Sequence, residues 1–165
     1  MLTTKQRAAL DYASSAAWVS EKLTGVPSEI TIAQWALESG WGENSPGNNP
    51  FGIKAYPGCF GKQLLTTREV IGGKVETLQL WFATFADLAA AFTKHALLLS
   101  SGPYAQAFKA FTEGGSLTDF ANAIGRIYAT APDYGEQIIA LMQQQNIRTA
   151  ISLARDGQRP TPELA

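Results

Sequence analysis

Residues 42 to 82 interrupt a chain whose remaining apolar residues recur at helical spacing. From Gly42 to Gly61 glycine, proline and asparagine dominate, which reads as a loop region with a short strand around Ile53. Gln63 to Val70 and Val75 to Phe82 then read as two strands flanking Gly72-Gly73, a hairpin signal. Helical patterns precede and follow this insert. The expected fold is therefore α+β, mostly helical, with a small β-hairpin lobe at about residues 51–82.

The first helix is expected to start at Thr3, which has capping-box spacing to Gln6, and to run to Leu23 with Leu10, Ala13, Ala17 and Leu23 inward. Gly25 and Pro27 interrupt it. Ser28 can cap a second helix that carries Ile30, Ala33 and Leu37 on one face and stops at Gly40. After the hairpin, Asp87 opens a helix containing Leu88, Phe92 and Leu99, and a shorter one covers Tyr104 to Phe111. Ser116 and Asp119 mark another start, followed by Phe120, Ile124 and Ile127. Pro132-Asp133 ends that helix, and Tyr134 to Gln145 forms the next, with Ile138 and Leu141 inward. With no internal repeat or linker, residues 1–155 are expected to form one domain and 156–165 a loosely held tail.

Composition mainly excludes. The 165 residues carry 13 basic and 14 acidic side chains, a formal net charge of -1, so no nucleic-acid partner is expected. The chain is 45% hydrophobic, enough for a core, yet no apolar run is long enough to span a bilayer and no membrane insertion is expected. Met1 to Arg7 shows no secretory signal, so work in a periplasm or cell wall would require another delivery route, phage lysis or a secretion apparatus. Cys59 and His95 are the only residues of their kinds, which removes any intrachain disulfide and the usual Cys/His zinc site; no metal or cofactor is expected. Cys59 lacks a nearby histidine to activate it, and His95 lies one position off the Phe92–Leu99 stripe, a structural placement. Carboxylates, tyrosines and amides are left to carry any chemistry.

Glu38 is the first candidate. Thr31, Gln34 and Glu38 fall at i, i+3 and i+7 of the second helix and share a polar stripe beside the apolar one. Glu38 occupies the last turn, where the helix dipole disfavours a carboxylate, and Trp35 and Trp41 add desolvation in the same direction. Both effects favour the protonated side chain that a general acid needs. A solvated surface glutamate is the plain alternative at this level.

Ala33-Gln34-Trp35-Ala36-Leu37-Glu38-Ser39-Gly40-Trp41-Gly42 resembles the active-site helix of glycoside hydrolase family 73, the bacterial and phage N-acetylglucosaminidases. Asn48-Asn49-Pro50-Phe51-Gly52-Ile53-Lys54-Ala55 is similar to the segment after that helix, and Tyr128-Ala129-Thr130-Ala131-Pro132-Asp133-Tyr134 to the family's C-terminal tyrosine motif. The blocks stand in the family's order, and the resemblance covers about residues 5 to 147.

The resemblance implies a lysozyme-like fold and a peptidoglycan hydrolase that cuts the β-1,4 bond after N-acetylglucosamine, with glycan strands as its binding partner. Glu38 matches the catalytic acid. A second carboxylate is expected in a Thr-x-Glu setting on the hairpin, where Thr67-Arg68-Glu69 stands; Glu69 would activate water or stabilise positive charge at the anomeric carbon. Glu76 competes for that role, a cross-strand ion pair is the plain alternative for Glu69, and the sugar's own N-acetyl oxygen is a substitute. Tyr128 and Tyr134 match aromatic positions lining the sugar cleft, although Tyr128 also continues a core stripe. Trp41 either floors the cleft or packs under the catalytic helix. Gln34 and Asn49 are further candidate sugar contacts, with turn-fixing the alternative for Asn48 and Asn49.

Pro50 departs from the family, where an apolar residue such as leucine is more usual. A wall-binding domain is not expected beside this one, a reading that points to a phage lysin or a delivered antibacterial effector. Such a toxin would need a cognate inhibitor protein in the producing cell. Two other readings stand beside the hydrolase: a lytic transglycosylase, and a non-catalytic glycan-binding or assembly module that kept the fold.

Overall fold

The computed structural model describes residues 1–128 and 131–157; Ala129 and Thr130 of the tyrosine motif, and the tail from residue 158, lie outside the described residues. Helix α1 (Thr4–Thr24) begins with the expected capping box, in which the Gln6 amide N–H donates to Thr3 Oγ1 at 3.1 Å and the Thr3 N–H to Gln6 Oε1 at 3.0 Å. Leu10, Ala13 and Ala17 are buried as expected, but Leu23 is 70% exposed. Six residues beyond Ala17, it has turned about 240° round the helix and left the inward stripe.

Helix α2 (Ser28–Ser39) starts one residue earlier than a Ser28 cap requires, because Pro27 takes the N-cap position. Proline has no side-chain acceptor, so Glu21 of α1 supplies one: its Oε2 accepts from the Ser28 backbone N–H at 2.8 Å and from the Ser28 hydroxyl at 2.5 Å. Nearly every face of α2 is covered. Ile32, Trp35 and Ala36 join a core cluster with Leu10, Phe92 and Ile147, while Ile30 and Ala33 join a second with Leu99, Phe120 and Ile138. Thr31 and Gln34 are consequently buried, and the polar stripe meets solvent only at Glu38. Leu37, expected inward, is only half-buried.

Strands β1 (Gly61–Ile71) and β2 (Lys74–Thr84) form the antiparallel hairpin, longer by one or two residues at each end than the pattern indicated. Gly72 and Gly73 have φ of 57° and 79°, the two left-handed residues that a tight hairpin turn needs. The expected strand at Ile53 is a single bridge, Lys54 to Phe82. Asp87 caps α3 (Leu88–Leu99) through the Ala90 N–H at 2.8 Å. Helices α4 (Ala105–Thr112) and α5 (Leu117–Tyr128) follow, with Ser116 accepting from the Asp119 N–H at 3.0 Å. Phe120 and Ile124 are buried, whereas Ile127, expected inward, is 42% exposed.

The expected helix 134–145 ends three residues early, at Met142, and a further helix that the pattern did not indicate follows it. Helix α6 (Tyr134–Met142) stops, Gln144 is extended, and α7 (Gln145–Arg155) begins. Ile147, Ala150, Ile151 and Ala154 give α7 its own inward stripe against α1. No helix among the described residues is long and apolar enough to cross a membrane.

Candidate active site

The turn after α2 aims Glu38 into a cleft. Gly40, Trp41 and Gly42 are successive left-handed residues with φ of 59°, 63° and 86°. The conformation is costly for a tryptophan, by roughly 1 kcal/mol or more. Local contacts hold it: the Trp41 N–H donates to the Ala36 carbonyl at 3.0 Å, and the ring meets Trp35 edge-on at 6.3 Å. Ser39 Oγ donates to the Trp35 carbonyl at 2.6 Å and accepts from the Gly42 N–H at 2.8 Å. The Glu-Ser-Gly-Trp-Gly segment is thus a helix stop whose geometry leaves Glu38 exposed at its lip.

Below Glu38 lies a buried line of polar groups. The Tyr134 hydroxyl, at the start of α6, donates to Glu38 Oε1 at 2.6 Å and accepts from Gln34 Nε2 at 3.2 Å. Gln34 Oε1 in turn lies 3.0 Å from His95 Nε2 of α3. Burial, then the bond to the Glu38 carboxylate, pushes the Tyr134 phenol well above its ordinary value, so it keeps its proton. Tyr128 stacks on Tyr134 at 5.2 Å and is also pushed up, chiefly by burial and next by Glu38.

The hollow in front of Glu38 is bounded by Asn44, Pro46, Pro50, Phe82 and, from the hairpin, Gln63 and Leu65. It shares Phe51 and Gly52 with a second hollow lined by Lys54, Tyr104, Tyr128 and His95. The two hollows adjoin at Phe51 and Gly52, with Glu38 lining the first. Its base is fixed by Asn49, which is buried: Nδ2 donates to the Ile53 and Ala83 carbonyls at 2.9 Å each, and Oδ1 accepts from the Ile53 N–H at 3.0 Å. Asn48 similarly donates to the Phe85 carbonyl at 3.0 Å.

Glu69 sits farther out on β1, on the face that carries Gln63 and Leu65. Glu76 is its direct cross-strand partner, so both carboxylates occupy the cleft side of the hairpin. Lys54 Nζ lies 3.8 Å from Glu69 Oε1. Lys54 pairs with Phe82, and Glu76 is six residues farther along β2, roughly 20 Å on a flat strand. That exceeds what the two side chains span together, so the hairpin bends toward Lys54, which lines the second hollow.

The other sequence candidates fall elsewhere. Trp41 lines neither hollow; it packs under α2 against Trp35 and borders a separate depression with Leu2 and Arg7. Gln34 is fully buried beneath Glu38 and reaches the cleft only through Tyr134. The reading of the sequence missed Tyr104, Gln63, Lys54 and the polar side of His95. A lone histidine seven residues before an aromatic-flanked Gly-Pro turn carries no periodic signal for such a contact. No group of three His, Cys, Asp or Glu side chains able to hold a metal ion occurs among the described residues. Cys59 packs with Ala83, Phe85 and Ala91 as a small apolar residue.

The chain is similar to several known proteins. The exo-glucosaminidase LytG of Bacillus subtilis is 34% identical over 134 residues, which cover 77% of this chain and 46% of LytG. The peptidoglycan hydrolase FlgJ of Salmonella typhimurium is 31% identical over 135 residues, covering 76% of this chain and 42% of FlgJ. The chain thus spans less than half the length of these relatives. The catalytic domain of the autolysin Auto from Listeria monocytogenes superposes with a TM-score of 0.77 at 25% identity, over 91% of this chain and 89% of that domain. The shared fold is the mostly helical, lysozyme-like one with a hairpin lobe that the sequence led us to expect. Residues 14–147 match the profile of the glucosaminidase family, described as mannosyl-glycoprotein endo-β-N-acetylglucosaminidase. The chain therefore belongs to the glucosaminidase family, glycoside hydrolase family 73.

Proposed function

We propose that the chain is a peptidoglycan hydrolase that cleaves the β-1,4 bond after N-acetylglucosamine, with Glu38 as general acid. The observation that carries this reading is the placement of Glu38: exposed in an open groove, yet held through one oxygen by a buried tyrosine that keeps its own proton. Glu38 gives its proton to the bridging oxygen and the C1–O bond breaks. Water then bonds to C1, and its released proton passes to a base. Glu69 is that base in our reading, supported by its pairing with Lys54 beside the second hollow, and Glu76, its cross-strand partner, is the alternative. Tyr128 and Phe82 offer apolar ring surface to the sugar faces.

The names of the relatives support a wall substrate, one being a peptidoglycan hydrolase and another an exo-glucosaminidase. Action would then take place in a periplasm or cell wall. A producing cell exposed to its own enzyme there would need an inhibitor protein that fills the groove, and delivery by phage lysis or a secretion apparatus fits that use.

The test is digestion of purified peptidoglycan, with the released ends identified by mass spectrometry after borohydride reduction. Reduced N-acetylglucosamine ends are expected from the wild type and none from Glu38→Gln. Anhydro-muramic ends would instead make the chain a lytic transglycosylase, and the absence of cleavage would leave a glycan-binding or assembly role.

A further inference from the structure

His95 is more than a core histidine. Its ring is stacked on Phe51 at 3.7 Å and meets Tyr128 edge-on at 5.6 Å, and it is 2% exposed. Its polar contact is with Gln34 Oε1 at 3.0 Å. Burial lowers its pKa to about 3, so the ring is neutral at working pH and carries one N–H.

The order of donors follows from the chemistry of each group. An amide oxygen cannot donate, so the His95 proton resides on Nε2. With Oε1 occupied by His95, the Gln34 amide turns its NH2 group to the Tyr134 oxygen. The Tyr134 oxygen, already accepting from Gln34, directs its own proton to Glu38 Oε1. Every bond in this series points the same way, from α3 through α2 and α6 to the carboxylate. Oε1 of Glu38 therefore already accepts a directed donor, and a transferable proton on Glu38 belongs on Oε2.

We propose that His95 and Gln34 are positioning residues for the acid: together they set the direction of a buried hydrogen-bond chain that fixes the Glu38 rotamer and assigns its proton to Oε2. This rests on the reading of Glu38 as the acid. Reversing the chain, with a His95 Nδ1–H and a turned Gln34 amide, would have Tyr134 donate to Gln34 and demand a proton from Glu38 instead. The neutral histidine tautomer thus reports the direction of the whole chain.

Two measurements test this. Because His95 is the only histidine, long-range 1H–15N NMR of the intact protein reads its tautomer without assignment. The Nε2–H form is expected at neutral pH, and the Nδ1–H form would overturn the proposal whatever the activity. The second is a double-mutant cycle on turnover. Gln34→Met is expected to lower kcat by about 30-fold with KM within about twofold, and to add little when Tyr134→Phe has already cut the chain. His95→Phe, which keeps the stacking but removes the N–H, is expected to give a smaller loss of the same kind.

Additive effects of Gln34→Met and Tyr134→Phe, or a loss in Gln34→Met that falls on KM rather than kcat, would show that Gln34 acts only as filler. Full activity in a folded Glu38→Gln protein would defeat the underlying reading of the acid, while leaving the tautomer result to judge the chain's direction.

Discussion

The backbone of Gly135 passes so close to Gly125 that a Cβ on Gly125 would lie 2.6 Å from both the Cα and the N of Gly135. That contact locks α5 to α6 one residue after Tyr134, whose hydroxyl holds Glu38. Gly125→Ala must push α6 outward, since the colliding atoms are backbone and have no rotamer to change. We expect a stability loss of about 1–3 kcal/mol, typical of overpacking. Turnover should fall out of proportion to the unfolded fraction, because the Tyr134–Glu38 bond of 2.6 Å is displaced. Urea melts together with kcat measured well below the melting transition check this; unchanged kcat would mean that α6 tolerates the shift.

His95 makes stability depend on acid. Its pKa is lowered to about 3 by burial, whereas the unfolded chain has an ordinary histidine near 6.5. The unfolded state therefore binds the extra proton between these values, and the stabilising contribution present above about pH 6.5 is lost as pH falls toward 3. At pH 5 the loss amounts to about 2 kcal/mol relative to neutral pH. His95→Gln, which cannot titrate, should lose less stability over the same range, although it starts from a lower value. Denaturant midpoints of both proteins from pH 7.5 to 4.5 measure the difference, and parallel curves would show that His95 is not held neutral.

Much of this was legible in the sequence, and the remainder has identifiable causes. The capping box at Thr3, the Gly72-Gly73 turn and the stop at Gly40 are local devices, decided by residues within a few positions of one another. Leu23 and Ile127 misled because an apolar side chain at a helix end is read as inward, while the chain leaves the core there. The split between α6 and α7 has no proline or glycine to mark it. Gln34 looked like a sugar contact because periodicity gives a stripe but not what covers it; α3 and α6 cover this one. His95 lies 61 residues from Gln34 and Tyr134 lies 96 from Glu38, so their contacts exist only once the helices pack.

Arg155 shows how the last helix is held. Its guanidinium donates through Nη1 to Glu29 Oε1 at 2.7 Å and through Nη2 to Glu29 Oε2 at 2.9 Å and Glu21 Oε2 at 2.8 Å. Glu21 is also the acceptor that caps α2, so a single cluster ties α1, α2 and α7. Arg155→Leu should cost about 1–2 kcal/mol, the value kept low because the guanidinium is one-third exposed and screened. The cost should shrink in 1 M salt, as the Coulomb part is damped, and kcat should stay within about twofold because the cluster is remote from the groove. Equal destabilisation at low and high salt would point to lost packing instead.

Glu38 and Glu69 should respond differently to the same change. Glu38→Gln keeps an Oε1 that can accept from Tyr134, so the buried chain and the fold survive while the transferable proton is lost. Loss of a general acid is worth about 100- to 10,000-fold, and turnover should fall accordingly. Glu69→Gln should lower turnover by a smaller factor, about tenfold or more, since water can be activated less well without its base. Its ion pair with Lys54 spans 3.8 Å with side chains 62% and 34% exposed, so stability should change by no more than about 0.5 kcal/mol. Glu76→Gln is the control on the neighbouring strand. A larger loss there than at Glu69 would transfer the second carboxylate to Glu76, whereas near-normal turnover in both single variants would leave the sugar's own N-acetyl group as the assisting base.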